Sequence, residues 1–459
     1  MDLNVAIKLI RKYTTGHNAF VMKANVAERY YRNKTDILFK KVKPDEDKNI
    51  RNADNRVCSS FYSLLINQKA SYIFTSPPLF DVGNKSNNKI IAEVLGDAYA
   101  KKCKDLCINA SNTGIAWVHY WVSDNEFKWA PVSSQQIIPV YNNDLDKRLL
   151  SILRCYDEVD ENTGKMVYIY EIWNDKECIA FKREADAEFE KITYYNKFEI
   201  LNMLTNVKES TNVYRHNFGK VPFIAFANNN INMSDLENIK GLIDTYDKVY
   251  SGFVDDLEDI QEIIFILTGY EGEDLGEFLG NLKKYKTVKL DSDVDAKGDL
   301  RTLTIDIPVE AREKLLTMTR KAIFEQGQGV DPEPGNFGNA SGVALQYLYS
   351  LLELKAGLLE TEFKLGLSEL VRAICDYKGI SCKSIIQTWT RTSIRNDLEL
   401  SEIARNSKGL ISDSTLIKNH PWVEDPEKEI KEIEKQEQDL FGQYPLPKIK
   451  GADTNGDEE

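Results

Sequence analysis

Four carboxylates, Asp255, Glu258, Asp259 and Glu262, follow one another at helical spacing. That spacing sets them on one face of a helix, and clustered carboxylates are what a metal-dependent hydrolase or nuclease needs. The sequence around them supplies no histidine or lysine to complete such a site, so a solvated acidic face is the favoured reading. Seven cysteines are scattered, and none forms a CxxC pair. Cys103 and Cys107 lie one helical turn apart but lack the second pair a zinc site requires, which leaves reduced core thiols. The four histidines, His17, His119, His216 and His420, are far apart, and His119 falls in an aromatic strand as a packed residue rather than a base. The stretch Gly327–Gly342 holds five glycines and two prolines in sixteen residues. It resembles a phosphate-cradling loop only in its glycines. It follows a helix, contains no Lys or Arg, and Gly327-x-Gly329 lacks the third glycine of a dinucleotide motif. The expectation is therefore a protein without catalytic residues, metal or cofactor.

The chain has 459 residues, with 59 Lys+Arg against 72 Asp+Glu and a formal net charge of −13. That length predicts two to four compact units. Apolar residues at 42% and charged residues at 29% are ordinary globular composition and exclude wholesale disorder. The longest aliphatic/aromatic run, Ile263–Leu267, is far short of a membrane span. With no basic n-region or apolar h-region at Met1-Asp2-Leu3-Asn4, the expectation is a soluble protein made in the cytosol. A protein that grips a duplex by its phosphates carries a basic surface. This one has the opposite balance, so any nucleic acid it handles is not held tightly.

Periodicity predicts helices at 4–14, 55–70 and 88–110, then a change to period two at Gly114. Strands are expected at 115–122, 127–129, 149–156, 166–173, 178–182 and 221–226, with turns at Ser123-Asp124-Asn125 and Asn174-Asp175-Lys176. Ser234-x-x-Glu237 has the pattern of a capping box, and the spacing predicts a helix over 234–268, about 50 Å long. One face carries Ile239, Leu242, Ile243, Tyr246, Val249, Tyr250, Phe253, Leu257, Ile260 and Ile264. The other carries Glu237, Asp244, Asp247, Asp255, Glu258, Asp259 and Glu262. Nine acidic residues against two lysines over 234–268 leave like charges at i,i+4, which repel. Residues 269–307 read as a small insert with strands at 287–290 and 300–305. Pro308 opens a helix at 309–326; after the glycine-rich loop, an apolar helix spans 343–376, with Gly357 and Gly366 permitting a bend or a close contact. A strand at 384–393 and helices at 397–407, 412–419 and 425–440 complete the chain, ahead of a disordered tail.

The stalk of two helices with a β insert, the loop Gly327–Gly342, the Val343-Ala344-Leu345 helix, and the ending Gly409-Leu410-Ile411-Ser412-x-x-Thr415, Pro421-x-Val423-x-Asp425 and Glu427/Glu429 come in a telling order. Together they resemble the portal protein of tailed double-stranded-DNA bacteriophages, of the type found in long, non-contractile-tailed phages, over about Val57–Glu437. The resemblance implies an α+β, multidomain portal fold and a dodecameric ring around a channel at one capsid vertex. Double-stranded DNA would pass through it during packaging and ejection. In family terms, residues 1–233 and 343–395 would form the wing, 234–268 and 308–328 the stem helices and 269–307 the clip. Residues 329–342 would form the tunnel loop, 396–440 the crown and 441–459 a disordered tail. The implied partners are further copies of the chain, DNA, the terminase large subunit, a head–tail connector, and major capsid and scaffolding proteins. The implied location is the virion after assembly in the host cytoplasm. Asp244, Asp255, Glu258, Asp259 and Glu262 are the expected acidic channel lining, and Asn336, Phe337 and Asn339 the expected DNA-facing residues of the tunnel loop. The absence of a basic residue there argues against phosphate gripping. The competing readings are another phage-like structural adaptor or scaffold, and a metal-dependent cytosolic hydrolase.

Overall fold

The computed structural model describes residues 1–41, 53–161, 163–202, 207–259, 264–268, 299–303, 308–333, 342–391, 397–420, 423 and 426–443. The chain divides into two compact units. One comprises Met1–Asp331 with Ser350–Thr392, the other Pro332–Tyr349 with Ser393–Glu459.

The first unit opens with helices α1 (Leu3–Tyr31), α2 (Phe61–Ile73), α3 (Lys85–Leu95) and α4 (Tyr99–Thr113), and with a short strand β1 (Leu79–Asp81). Helix α1 continues well past Thr14-Thr15-Gly16 because Ala24, Ala27 and Tyr30 are buried further along it. The single helix expected over 88–110 is two, separated at Gly96, whose φ of 76° ends α3. Gly114, at φ 83°, ends α4 in the left-handed region. An added Cβ there would lie 2.0 Å from the Asn232 carbonyl oxygen, so only glycine allows that approach.

Strands β2 (Ile115–Ser123), β3 (Glu126–Val132), β4 (Ile137–Tyr141), β5 (Leu149–Val159), β6 (Met166–Trp173), β7 (Glu177–Glu184), β8 (Thr193–Tyr194), β9 (Phe198–Asn202), β10 (Val207–Thr211), β11 (Val213–Arg215) and β12 (Phe223–Ala227) follow. They form a three-stranded sheet β12-β2-β3, a six-stranded antiparallel sheet β11-β7-β6-β5-β4 with β8 on β7, and a hairpin β9-β10. Trp117, Ile152, Trp173 and Phe223 join the two larger sheets in one core. The first half of α1 covers the six-stranded sheet through Ala6 and Ile10.

Helix α5 spans Lys240–Asp259, and Ile264–Thr268 is strand β13, paired antiparallel with β14 (Asp299–Leu303). The continuous helix expected over 234–268 is thus corrected at both ends: residues 235–239 are turns, and 264–268 are extended. The run Ile263 to Leu267 is as apolar and β-branched as a short strand, and periodicity cannot separate the two cases at that length. Helix α6 (Val309–Gln326) matches its expected bounds, and α7 runs Gly342–Lys378. Arg312 reaches the Gly252 carbonyl and Asp256 at one end of the α5–α6 pair, while Tyr246 and Phe324 converge on Phe61 at the other. The pair is therefore antiparallel. A final strand β15 (Ile386–Thr388) pairs with β1. Residues 287–290 and 444–459 lie outside the described ones.

Two cores meet at α2. On one side Ala70, Ile73 and Phe74 pack with α3, α4, β2, β12 and the buried side of α7. On the other, Tyr62, Leu65 and Ile66 pack with α1, α5 and α6. Gly366 accounts for the close contact of α7: a Cβ would stand 2.8 Å from the Ala225 carbonyl oxygen. The second unit carries α8 (Asp397–Ser407), α9 (Asp413–Asn419), capped by the Ser412 hydroxyl, and α10 (Pro426–Gln443).

Candidate functional site

Asp244, Asp247, Asp255, Asp256 and Glu258 of α5 are engaged by their own chain. Residues 53–60 are not helical, and three of their backbone N–H groups meet the helix. The backbone N–H groups of Ser59, Val57 and Asn55 donate to Asp247 Oδ1 (3.0 Å), Ser251 Oγ (3.0 Å) and Asp255 Oδ1 (2.6 Å). Alternate backbone donors of this segment thus meet side chains at every fourth residue of the helix, one turn or about 6 Å apart. The Asn55 side chain donates in addition to Glu258 Oε2 at 2.6 Å. Asp247 is buried, accepts from the Thr35 hydroxyl at 2.5 Å, and is raised above the ordinary carboxylate range, burial being the main cause.

The neighbours of this row are also occupied. Asp244 accepts from the Tyr30 hydroxyl and from Lys240 Nζ (2.7 Å), and Lys240 also holds Asp36 at 2.5 Å. Asp256 pairs with Arg312, and Glu237 with Lys23 at 3.5 Å. Of the expected acidic face, Asp244, Asp255 and Glu258 are hydrogen-bonded within their own chain, to Tyr30 and Lys240, to the Asn55 N–H and to the Asn55 side chain. Of the five expected lining residues, only Glu258 is described and exposed. The side chain of Asp259, the whole of Glu262, and the loop residues Asn336, Phe337 and Asn339 lie outside the described residues.

Where the stalk meets the glycine-rich segment, the structure builds an anchor that the sequence did not single out. Gln68 clamps the backbone of Val330 from both sides, its Nε2 donating to the carbonyl (2.7 Å) and its Oε1 accepting from the N–H (3.1 Å). Arg320 holds Asp331 through two nitrogens, at 3.0 and 2.6 Å. Gly327 and Gly329 lie so close to Leu65 that a Cβ would come within 2.6 and 2.1 Å of its methyl carbons. Lys355 of α7 donates to the Gly327 carbonyl (2.9 Å) and to Asp235 Oδ2 (3.0 Å). The same oxygen takes Lys69 at 3.0 Å, and Lys69 also bonds Ser111 Oγ and Asn228 Oδ1. Two buried lysines thus share one buried carboxylate, joining α2, α4, the turn before α5, the end of α6 and α7. Burial alone would raise Asp235; Lys355 and Lys69 override it and hold the carboxyl well below its usual range. Lys355 itself is lowered, mainly by burial.

The other chemistry-bearing side chains are packing elements. His119 stacks on Phe223, hydrogen-bonds the Pro222 carbonyl at 2.9 Å, and is pushed down to about 4 by burial. Cys103 and Cys107 are buried thiols pushed up to about 12 and about 11 by burial. Among the described residues, no three His, Cys, Asp or Glu side chains are grouped to hold a metal ion. No described helix is long and apolar enough to cross a membrane.

Comparison with known proteins decides what this scaffold is. The family model for phage portal proteins of the SPP1 Gp6-like type matches residues 10–440. The chain belongs to that portal family. It is 42% identical over 419 residues to a portal protein of Clostridium phage phiCD119, covering 87% of this chain and 89% of the relative. To the portal protein of Bacillus phage SPP1 it is 30% identical over 397 residues, covering 83% and 76%. Among solved structures it is similar to a chain from the neck of an empty gene transfer agent particle, with a TM-score of 0.47 and 11% identity over 78% of this chain and 88% of that one. A chain from the virion of a native gene transfer agent gives 0.45 and 11% over 77% and 88%.

As a portal protein the chain is a structural part of a phage particle, and the anchored residues 327–331 are the root of its glycine-rich loop. Sequence reasoning placed that root inside a loop because Gly327 and Gly329 read as flexibility. They are there for close approach to Leu65. Lys69, Asp235 and Lys355 carried no sequence signal, since a lone lysine in an apolar helix reads as surface until burial is known.

Proposed function

We propose that the chain assembles into a closed ring, probed below as about a dozen copies, whose central channel admits double-stranded DNA during packaging and releases it during ejection. Membership of the portal family, whose model matches residues 10–440, carries this reading. The antiparallel α5–α6 pair, with β13 and β14 between them in sequence, serves as stem and base of the clip, where the terminase large subunit docks first and a head–tail connector later. Residues 1–233 with 343–395 serve as wing and 396–440 as crown, at the capsid vertex of the virion, in contact with capsid and scaffolding proteins during assembly in the host cytoplasm.

DNA passes without being gripped. The net charge of −13 opposes phosphate binding, and a loop without Lys or Arg releases no counterions on contact. Asn336, Phe337 and Asn339 face the duplex by shape, not by reading bases. Asp244, Asp255, Glu258, Asp259 and Glu262 serve as the anionic lining, with Asp244, Asp255 and Glu258 also holding hydrogen bonds within the chain. The experiment is DNase protection of packaged DNA in proheads assembled with the full-length chain. Lysine at positions 258, 259 and 262 is expected to slow filling or retain DNA. Proheads that fill equally well without the chain would overturn the reading.

A further inference from the structure

The long helix α7 buries one side in the core shared with α2 and α4, through Leu352, Ala356, Leu359, Phe363 and Leu367. Its other side is apolar as well. Leu351, Leu354, Leu358 and Leu365 are 38%, 57%, 53% and 64% exposed, and they follow one another at three-, four- and seven-residue steps. Such a stripe amounts to an apolar patch on the order of a few hundred Å², the size that marks a contact site on a soluble protein. Gly357 sits within it. A Cβ there would meet nothing within 4 Å, so no contact among the described residues calls for glycine at a mid-helix position where it costs stability. Gly366 is the contrast, since Ala225 and Phe226 require it. A glycine between two exposed leucines is what a second backbone needs to approach a helix closely.

The same unit carries a groove with an apolar wall. This groove, of about 750 Å³, opens between α1, the end of α4 and residues 232–240, lined by Phe20, Met22, Val26, Thr113 and Leu236 with Lys23 at its side. Met22 is 70% exposed. Helix α1 packs into the core on one side of α2 and α7 into the core on the other. Stripe and groove are therefore different surfaces of one unit, which is what a head-to-tail contact between identical copies requires. The charges that line the groove are paired within the chain, Lys23 with Glu237 and Lys240 with Asp36 and Asp244, so what the groove offers the stripe is its apolar wall.

We infer that the α7 stripe around Gly357 of one copy seats in the α1 groove of the next, and that this contact propagates the ring. The inference rests on the ring reading above and adds to it the two faces that meet. A standard interface needs about 800 Å² from each partner, so the stripe is the apolar centre of a contact completed by charged flanks.

The test uses the full-length chain. Met22→Cys with Leu358→Cys, treated with a short bismaleimide, is expected to give a ladder of dimers and higher multimers on a denaturing gel, absent from either single variant. No ladder, or a cross-link that stays within one chain, overturns the inference. Gly357→Leu fills open space in a lone copy and is expected to leave its circular dichroism unchanged, while cutting the assembled fraction at micromolar concentration at least tenfold. Rings that persist with Gly357→Leu refute the stripe and leave the ring reading standing. A wild-type chain that never leaves the monomer refutes the ring reading itself.

Discussion

The buried cluster at the loop root gives the sharpest quantitative expectation. Asp235 is the one carboxylate between Lys69, which is 1% exposed, and Lys355, which is 8% exposed. Asp235→Asn keeps the shape and the Asn228 contact but strands two buried cations, and breaking a buried pair from one side costs about 3–5 kcal/mol. Lys355→Met has a different balance. It loses the hydrogen bond to the Gly327 carbonyl, worth about 1 kcal/mol, yet it removes one of two cations competing for a single carboxylate. Its expected cost is about 1 kcal/mol, and in the Asp235→Asn background it should recover part of the loss. With a urea slope of about 3 kcal/mol/M, the midpoint should fall by about 1.3 M for Asp235→Asn and about 0.3 M for Lys355→Met. Buried Trp117, Trp129 and Trp173 report the unfolding of this unit. The acid side gives a second check. Asp235 is depressed in the folded chain, so its contribution is complete above the unfolded carboxylate range and drains away as pH falls below about 5. The gap between wild type and Asp235→Asn should narrow there. Equal costs for the two substitutions, or an Asp235→Asn variant within about 1 kcal/mol of wild type, would refute the reasoning.

Three further outcomes follow from single sites. Gly114→Ala forces a Cβ against the Asn232 carbonyl at a φ of 83°; it should cost about 3 kcal/mol or more, read as a lower urea midpoint. Asp247 is raised in the folded chain, so it favours folding when protonated and loses that contribution as pH rises through its folded value. Asp247→Asn should therefore gain on wild type as pH increases from 4 to 7, measured by urea titration at each pH. Glu171 accepts from Arg154 (3.3 Å), Lys197 (2.5 Å), Tyr156 and Trp173. Burial raises its carboxyl, but Lys197 and Arg154 draw it below its usual range. Glu171→Gln should cost about 2 kcal/mol at pH 7, because both cations are partly exposed and can regain water. That penalty should shrink below about pH 4.5, as near-UV circular dichroism during unfolding would show.

Elements with a clean period or a clean terminus were legible in the sequence. The strand Met166–Trp173 and the helix Val309–Gln326, opened by Pro308, have the expected bounds. The helix expected over 55–70 starts only at Phe61, because Asp247, Ser251 and Asp255 take the backbone N–H groups of Ser59, Val57 and Asn55. That pairing joins residues about 190 positions apart, and local propensity carries no trace of it. The acidic character of α5 was visible for the same reason that its use was not: composition counts carboxylates, whereas only packing shows that Tyr30, Arg312 and the backbone N–H groups of Asn55 and Ser59 take them up. The glycines of 327–329 announced an irregular segment, and their actual requirement is the approach to Leu65.

Electron microscopy of the purified full-length chain, with no partner added, tests the central claim most directly. Closed rings of about a dozen copies around an open channel are the expected result. A uniform population of single compact particles at micromolar concentration would contradict it.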